Sequence, residues 1–498
     1  MTATTRMHAQ ADLTAAVDVD DFVVLVQREF KPRSDQSREA VGNAIKTLAH
    51  QALRHAPLIN DDAVETIQSI IASIDEKLSK QINEILHHPD FQALESAWRG
   101  LHHLVFNTET DETLKIRALS ISMKEISRIL RKFKGIAWDQ SPLFKKIYEE
   151  EFGQVGGNPY GCLIGDYYFA HSPHDIDLLT GIAQIAAASH SPFISAASPH
   201  LMRMDSWCEL ANPRDISKIF LTPEHAAWRA FRESEDSRYV ALTLPRMLGR
   251  LPYGAKTNPA DEFSFEEDAD GSDSEKYLWT NAAYAMGVNI TRSFKLYGWL
   301  SRIRGFESGG LVEDLPVHAF PSDDGGVDVK CPTEFAISDR RESELSKNGL
   351  LPLLHRKNTQ LGVFVGAQTV NKPIRYDDQE ASANAELSAR LPYIFATCRF
   401  AHYLKCMVRD KIGAFKERYE VEEWLNQWIQ GFVHPSPELG GEESKARQPL
   451  SSAEVKVEET KDNPGYYNAI FYLRPHYQLE GLTISLRLVA RLPSARSG

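Results

Sequence analysis

Apolar positions follow two rhythms along this chain, and each rhythm marks elements. Between Asp61 and His87, Val64, Ile67, Ile71, Ile74, Leu78 and Ile85 fall on the a and d positions of a seven-residue repeat, which only Gln81 interrupts. The rhythm predicts one long helix, roughly 40 Å at the standard rise. Its narrow seam suits a partner helix crossing at a shallow angle, in this chain or in another. Pro89 breaks the helix, and a second follows with Phe91, Leu94, Trp98, Leu101 and Val105 on one face. From Glu112 to Met123 the period drops to two: Leu114, Ile116 and Ala118 alternate with Lys115 and Arg117. That alternation predicts a half-buried strand. Lys124 to Lys134 reads as a basic helix whose charges make a solvated face.

The most ordered stretch runs from Pro159 to Ser198 and reads as strand, helix, strand. Cys162 to Phe169 is a short run rich in Tyr and Phe. Ser172-Pro173-His174-Asp175 is a helix start: an N-cap serine, a proline where no amide partner is needed, and an acid reaching back to free amides. Ile176, Leu179, Ala183 and Ala186 recur at helical spacing, Pro192 closes the helix, and Phe193 to Ala197 is the next strand. Strands joined this way are expected to be parallel, with a right-handed crossover.

Further on, Glu224 to Arg232 predicts a helix, Tyr239 to Leu244 a strand, and residues 255–276 an acidic loop. Asp314 to Pro332 is turn-rich and Thr359 to Thr369 reads as a buried strand. Two helices divided at Pro392 fill Ala381 to Lys411, and a third covers Glu417 to Phe432 with Trp424 and Trp428 one turn apart. His434 to Pro449 reads as a linker. Three strands are expected beyond it. Ala453, Val455 and Val457 alternate with charges, Tyr466 to Leu473 is bulky on both faces, and Leu482, Ile484, Leu486, Leu488, Ala490 and Leu492 alternate without a break. A terminal strand with one wholly apolar face either completes a sheet at home or adds to a neighbour's edge. At the other end, residues 1–16 predict no structure, and Val19 to Phe30 is an apolar patch on a polar arm. It either docks on its own domain or serves as a docking peptide for another protein.

Composition narrows the class. The 498 residues are 42% hydrophobic and 25% charged, enough for about three domain-sized units. A net charge of −12 argues against a protein that mainly binds nucleic acid. No apolar stretch is long enough to span a membrane, and the start lacks the apolar core of a secretory signal. Five scattered cysteines (162, 208, 331, 398 and 406) give no disulfide framework and suit a reducing cytoplasm.

Candidate chemistry is thin. Phosphate loops, nucleophile elbows and zinc-protease motifs are missing. Glu266, Asp268, Asp270 and Gly271 mimic a calcium loop, but Tyr277 stands where the closing glutamate belongs. Cys398, His402 and Cys406 lie four apart on one helix, so the outer two are about 12 Å apart along the axis, too far for one zinc. They read as a buried core face. His171 and His174 could pair with Asp166 or Asp175 as an acid–base set near the carboxyl end of the first strand, although a capped helix start with surface histidines explains the histidines as well. No cofactor or metal is expected.

Several long phrases resemble one family, the large contractile-sheath subunit of the type VI secretion system (TssC/VipB). They include HHPDFQALESAWRGLHHLV (87–105), GCLIGDYYFAHSPHDIDLLTGIAQIAAASHSPFISAASPHL (161–201), FRESEDSRYVALTLPRMLGRLPYG (231–254), IRGFESGGLVEDLPVHAF (303–320), CPTEFAISDRRESELS (331–346) and PHYQLEGLTISLRLVARLP (475–493). The likeness runs in unbroken order over roughly residues 61–493. It implies a structural protein and not an enzyme. Its partners would be an obligate small sheath subunit, further heterodimers in a helical lattice, an inner tube, a baseplate and a recycling AAA+ ATPase. The ATPase handle would map onto Phe22, Val23, Leu25 and Val26.

The expected fold is α+β and tail-sheath-like. A flexible arm covers 1–60, a discontinuous partner-facing domain 61–150 and 376–498, and an inserted outward α/β domain with the βαβ unit 151–375. The heptad seam would meet the small subunit, and the 482–492 strand would join subunits. Two rivals stand beside this reading: a cytoplasmic α/β enzyme using Asp166, His171 and His174, and a phage-like homopolymeric sheath.

Overall fold

A computed structural model describes residues 39, 43, 63–212, 215–260, 263–271, 273–321, 325–411, 417–436, 440–459 and 467–476. The expected handle at Phe22, Val23, Leu25 and Val26 lies outside them, as does the strand carrying Leu482, Ile484, Leu486, Leu488, Ala490 and Leu492. Two compact units divide the chain: residues 1–92 with 251–277, and residues 93–250 with 278–498.

In the first unit, the seven-residue rhythm forms the helix α1 (Ala63–Leu86). Val64 and Ile67 fall in its first turns. Ile74 and Leu78 are half-buried, while Ile71 and Ile85 are each 47% exposed. The acidic loop packs on the last turns of α1. Asn83 Nδ2 donates to Glu266 O at 3.4 Å, and Asn83 Oδ1 accepts from Asp268 N at 2.9 Å. Glu266 and Glu267 accept from the amides of Ala255 (3.0 Å) and Tyr253 (2.8 Å), and Asp268 pairs with Lys276 at 2.6 Å. These carboxylates serve the loop's own backbone and lysine, and Glu267 Oε1 also lies 3.5 Å from His87 Nε2.

The second unit holds the helix α2 (Pro89–Phe106) from Ala93 onward, with α3 (Met123–Lys132), α4 (Pro173–Ser189), α5 (Ala283–Tyr297), α6 (Leu391–Lys411) and α7 (Arg418–Gln430). Its first strands are β1 (Leu163–Phe169), β2 (Phe193–Ala197), β3 (Val240–Leu244), β4 (Met247–Leu248), β5 (Trp279–Thr280) and β6 (Leu311–Val312). Then come β7 (Ala319–Pro321), β8 (Val327–Val329), β9 (Leu351–His355) and β10 (Gly362–Phe364). The central sheet has six strands in the order β1-β2-β3-β9-β10-β6. β1, β2, β3 and β9 are parallel, and β10 and β6 close the far edge antiparallel.

Alternation along the strands feeds two cores, because successive side chains point to opposite faces. Phe193, Val240 and Leu242 meet Ile176, Leu179, Ile182 and Ala183 of α4 on one face. Ile194, Ala241, Leu351 and Leu353 meet the α5 residues Ala283 to Met286 on the other. The helix start is built as its sequence dictates, with Ser172 Oγ accepting from Asp175 N at 3.1 Å.

A third core joins α6 and α7 to the antiparallel hairpin β11 (Leu450–Glu459) and β12 (Tyr467–Pro475). One edge of that hairpin is closed by side chains. Asn426 donates to Val455 O at 2.8 Å and accepts from Val455 N at 2.9 Å. Glu422 accepts from Val457 N at 2.8 Å, and Gln430 donates to Ala453 O at 3.0 Å. Residues four apart on one helix face thereby cover alternate residues of β11, as a third strand would.

Two sequence expectations need correction, and two gain detail. Residues 112–122 form no strand, and Met123 already opens α3. Their period of two comes from one side resting on neighbouring elements, and among the described residues no strand pairs with them. On α2 the apolar stripe is divided: Leu101 packs on the core beside buried Ser96, Gly100 and Leu104, while Leu94 and Trp98 face out. The linker 434–449 contains a short helix, Glu442–Arg447, anchored by His434 Nε2 against Ser444 Oγ at 2.8 Å. The turn-rich 314–332 stretch includes the β7–β8 hairpin.

Candidate docking groove

Small residues set the groove's depth. A Cβ on Gly100 would come within 2.3 Å of the Tyr284 ring. One on Gly287 would come within 2.5 Å of Ile164 Cδ1 and 3.0 Å of Leu104 Cδ1. Glycines at these points let α2, α5 and β1 approach closely, since nothing projects between them. The hydroxyls of Thr108 and Thr291, 2.9 Å apart, tie α2 to α5 further along. Its buried side spent on Gly100 and Leu104, α2 carries part of its apolar stripe outward: Leu94 is 58% exposed and Trp98 66%.

That stripe forms one wall of a groove of about 910 Å³. The opposite wall is the segment 112–123, contributing Ile116, Leu119 and Ile121; Cys162, just before β1, and Ile164 and Asp166 of β1 contribute as well. Two sets of backbone groups are open here. β1 is the terminal strand of its sheet, paired only to β2 among the described strands. Residues 115–120 make no main-chain hydrogen bond among the described residues. The segment is held instead through side chains and at its C-terminal end. Tyr167 Oη donates to Ile121 O at 2.8 Å, Arg117 pairs with Glu151, and Ser122 and Glu125 form the capping box of α3.

Two buried polar atoms at the groove lack partners among the described residues, Asp166 Oδ1 and Arg399 Nε. Burial pushes the Asp166 carboxyl above its ordinary range, and hydrogen bonds from Asn281 and Tyr284 oppose that rise. The Arg399 guanidinium lies 5.1 Å from the Phe294 ring centre and donates to Tyr403 Oη at 2.6 Å. A groove with apolar walls, unpaired main chain and unsatisfied polar atoms is built for an extended peptide, which brings alternating side chains and its own amides. Next to the groove segment in sequence, Asp111 accepts from Lys295 at 2.5 Å and from the amides of Thr113 and Leu114, which holds its carboxyl well below the usual range.

The acid–base set suggested by sequence is not assembled. Asp166 faces the groove, His171 stacks on His225 with Nδ1 2.5 Å from His200 O, and His174 sits against Ser127 and Arg131. Asp175 accepts from Ala170 N at 2.9 Å. Cys398 and His402 are buried, with His402 Nε2 2.9 Å from Ser189 O. Burial lowers the His402 imidazole to about 4 and raises the Cys398 thiol. Among the described residues, no three His, Cys, Asp or Glu side chains converge as a metal site would require. Sequence reasoning missed the groove because the 112–123 alternation resembles a paired strand and the α2 stripe resembles a core face.

Residues 68–371 match the family model described as EvpB/VC_A0108, tail sheath N-terminal domain, and residues 380–492 match its companion, the tail sheath gpW/gp25-like domain. The chain belongs to the TssC/VipB family of type VI secretion sheath proteins. A curated relative from Pseudomonas aeruginosa strain PAO1, "Type VI secretion system sheath protein TssC1", is 64% identical over 483 residues, covering 97% of each chain. Among solved structures, a chain of the anti-feeding prophage baseplate aligns with TM-score 0.36 and 11% identity, over 76% of this chain and 84% of that one. A chain of the contracted anti-feeding prophage sheath aligns with TM-score 0.25 and 13% identity, over 64% and 67%. The TssC/VipB match covers the groove, the central sheet and the β11–β12 hairpin alike. No described helix is long and apolar enough to cross a membrane.

Proposed function

We propose that this chain is the large subunit of a cytoplasmic type VI contractile sheath, with a structural role and no catalytic one. Its groove seats an extended segment of the small sheath subunit, and heterodimers stack helically around an inner tube above a baseplate. The observation that carries this reading is the groove itself: exposed Leu94 and Trp98 facing main chain at 115–120 that has no described partner. Exposed apolar patches of this kind belong to proteins that complete their surface by assembly.

The same reading assigns the rest of the chain. The seam at Val64, Ile67, Ile71, Ile74, Leu78 and Ile85 takes a helix of the small subunit. The strand 482–492 adds to the outer edge of β12, since side chains of α7 occupy that of β11. Residues 61–150 and 376–498 face partners, and 151–375 face outward. Phe22, Val23, Leu25 and Val26 are the grip for an AAA+ ATPase that recycles contracted sheath. Contraction draws on the difference in packing between an extended and a contracted lattice, which requires no phosphate loop here.

The test is co-purification with a tagged small subunit. Wild-type chain is expected at equal stoichiometry, and Trp98→Glu with Leu94→Asp is expected to lose the partner while keeping its circular dichroism. Full retention of the partner by that double variant would remove the groove from the interface.

A further inference from the structure

A second cavity, of about 1320 Å³, lies in the same unit as the groove and shares no lining residue with it. Tyr393 and Ile394 of α6 line it, with Arg238 and Tyr239 of the short 3-10 helix Asp236–Tyr239. The helix Gln379–Ser388 adds Ala383 and Leu387. β12 ends on the cavity through Leu473, Arg474 and Pro475.

Three observations point to an occupant, and the third names it. The helix Gln379–Ser388 buries none of its side chains among the described residues. Ten residues are too few for a helix to stand on its own hydrogen bonds in water, so its stability has to come from packing. Its apolar Ala383 and Leu387 open on the cavity instead. Arg238 Nε is buried and has no hydrogen-bond partner among the described residues, which is costly for a guanidinium. Finally, the chain itself arrives here. His476 N donates to Pro449 O at 3.1 Å, its Nε2 is 3.0 Å from Gln448 O, and residue 477 follows directly.

From these observations we infer that residues 477–481 of this same chain seat in the cavity. Leu479 packs against Leu387 and Ile394, and the Glu480 carboxylate accepts from Arg238 Nε. Alternate side chains of an extended chain point to opposite sides, so Leu479 and Glu480 reach different walls. At the span of an extended chain, Glu480 falls within about 18 Å of Pro475. The acids that line the cavity leave room for this pair. Glu235, Glu380 and Glu386 are exposed, and only Asp236 is half-buried. Arg390 and Arg474 add two further cations to the lining. Gly481 then allows the chain to turn back, which aims 482–492 along the outer edge of β12. That last step rests on the strand assignment made above; the seat does not.

The experiment is hydrogen–deuterium exchange of the full chain in complex with its small subunit, at a dilution that keeps single heterodimers. It is compared with chains ending at Gly481 and at His476. Amides of residues 379–388 are expected to exchange alike in the full chain and the chain ending at Gly481. They are expected to exchange at least about tenfold faster in the chain ending at His476. Exchange in the central sheet is the folding control. Arg238→Glu and Glu480→Arg should each reproduce most of that loss, and the two together should restore protection. Equal exchange over 379–388 in all three chains would overturn the seat. Protection that grows with heterodimer concentration would give the cavity to a second copy and overturn it too. Tubules formed by the chain ending at Gly481 would remove the strand assignment and leave the seat standing.

Discussion

Asn426 makes both hydrogen bonds with the backbone of Val455 that a neighbouring strand would make, giving one at 2.8 Å and taking one at 2.9 Å. A helix side chain thus ends a sheet. Exposed strand edges recruit other strands, and a protein that assembles through one edge benefits from closing the opposite one. Asn426→Leu is expected to strand both Val455 groups and cost about 1–3 kcal/mol of stability. Urea unfolding of the co-purified heterodimer measures that loss, and size-exclusion chromatography should show off-pathway oligomers. Asn426→Asp, which still accepts from Val455 N, should fall between the two.

Deleting 482–498 is expected to leave the central sheet folded and abolish polymerisation, because β12 then loses the strand proposed for its outer edge. Circular dichroism and sedimentation of co-expressed subunits check the two halves of that statement. Normal sheath from the truncated chain would place the inter-subunit strand elsewhere.

The glycines under the groove are expected to tolerate no side chain. At Gly287 a Cβ would lie 2.5 Å from Ile164 Cδ1. Gly287→Val should therefore cost about 1–3 kcal/mol through displaced neighbours. Gly326 has open space at its Cβ position and serves as the control for an ordinary Gly→Ala change. Chemical denaturation of each heterodimer gives the comparison.

His402 supplies a pH dependence. Its folded value is about 4 against an ordinary 6.5, because burial disfavours the cation. The unfolded chain then binds the extra proton first as pH falls. Its contribution is complete above about pH 6.5 and is lost progressively down to about pH 4, by at most about 3 kcal/mol. His190 and His225 are lowered by burial too and act in the same direction. His402→Gln, able to keep a hydrogen bond to Ser189 O, should flatten the urea midpoint between pH 6.5 and 4. An identical slope in the variant would assign the acid sensitivity to other groups.

What the sequence discloses and what it hides follow one physical line. Local chemistry is legible: Ser172 caps α4, the strand–helix–strand unit is parallel, and β11 and β12 form as strands. Patterns that depend on what a face meets are not. Leu94 and Trp98 have core-like spacing, yet the core contact of α2 is made by Gly100 and Leu104 because a tyrosine ring packs on the glycine. Residues 112–123 alternate because one side is covered, which happens with or without a strand alongside. β10 is only Gly362–Phe364 within the longer apolar run 359–369, since its partners β9 and β6 are themselves short. The edge closure by Glu422, Asn426 and Gln430 reads in sequence as an ordinary polar helix face.

The most direct test of the hetero-sheath is negative-stain microscopy of this chain purified alone and after co-expression with the small subunit. Long hollow tubules are expected only in the co-expressed sample. Tubules from the chain alone would point to a homopolymeric sheath, and discrete particles in both samples would contradict the sheath reading altogether.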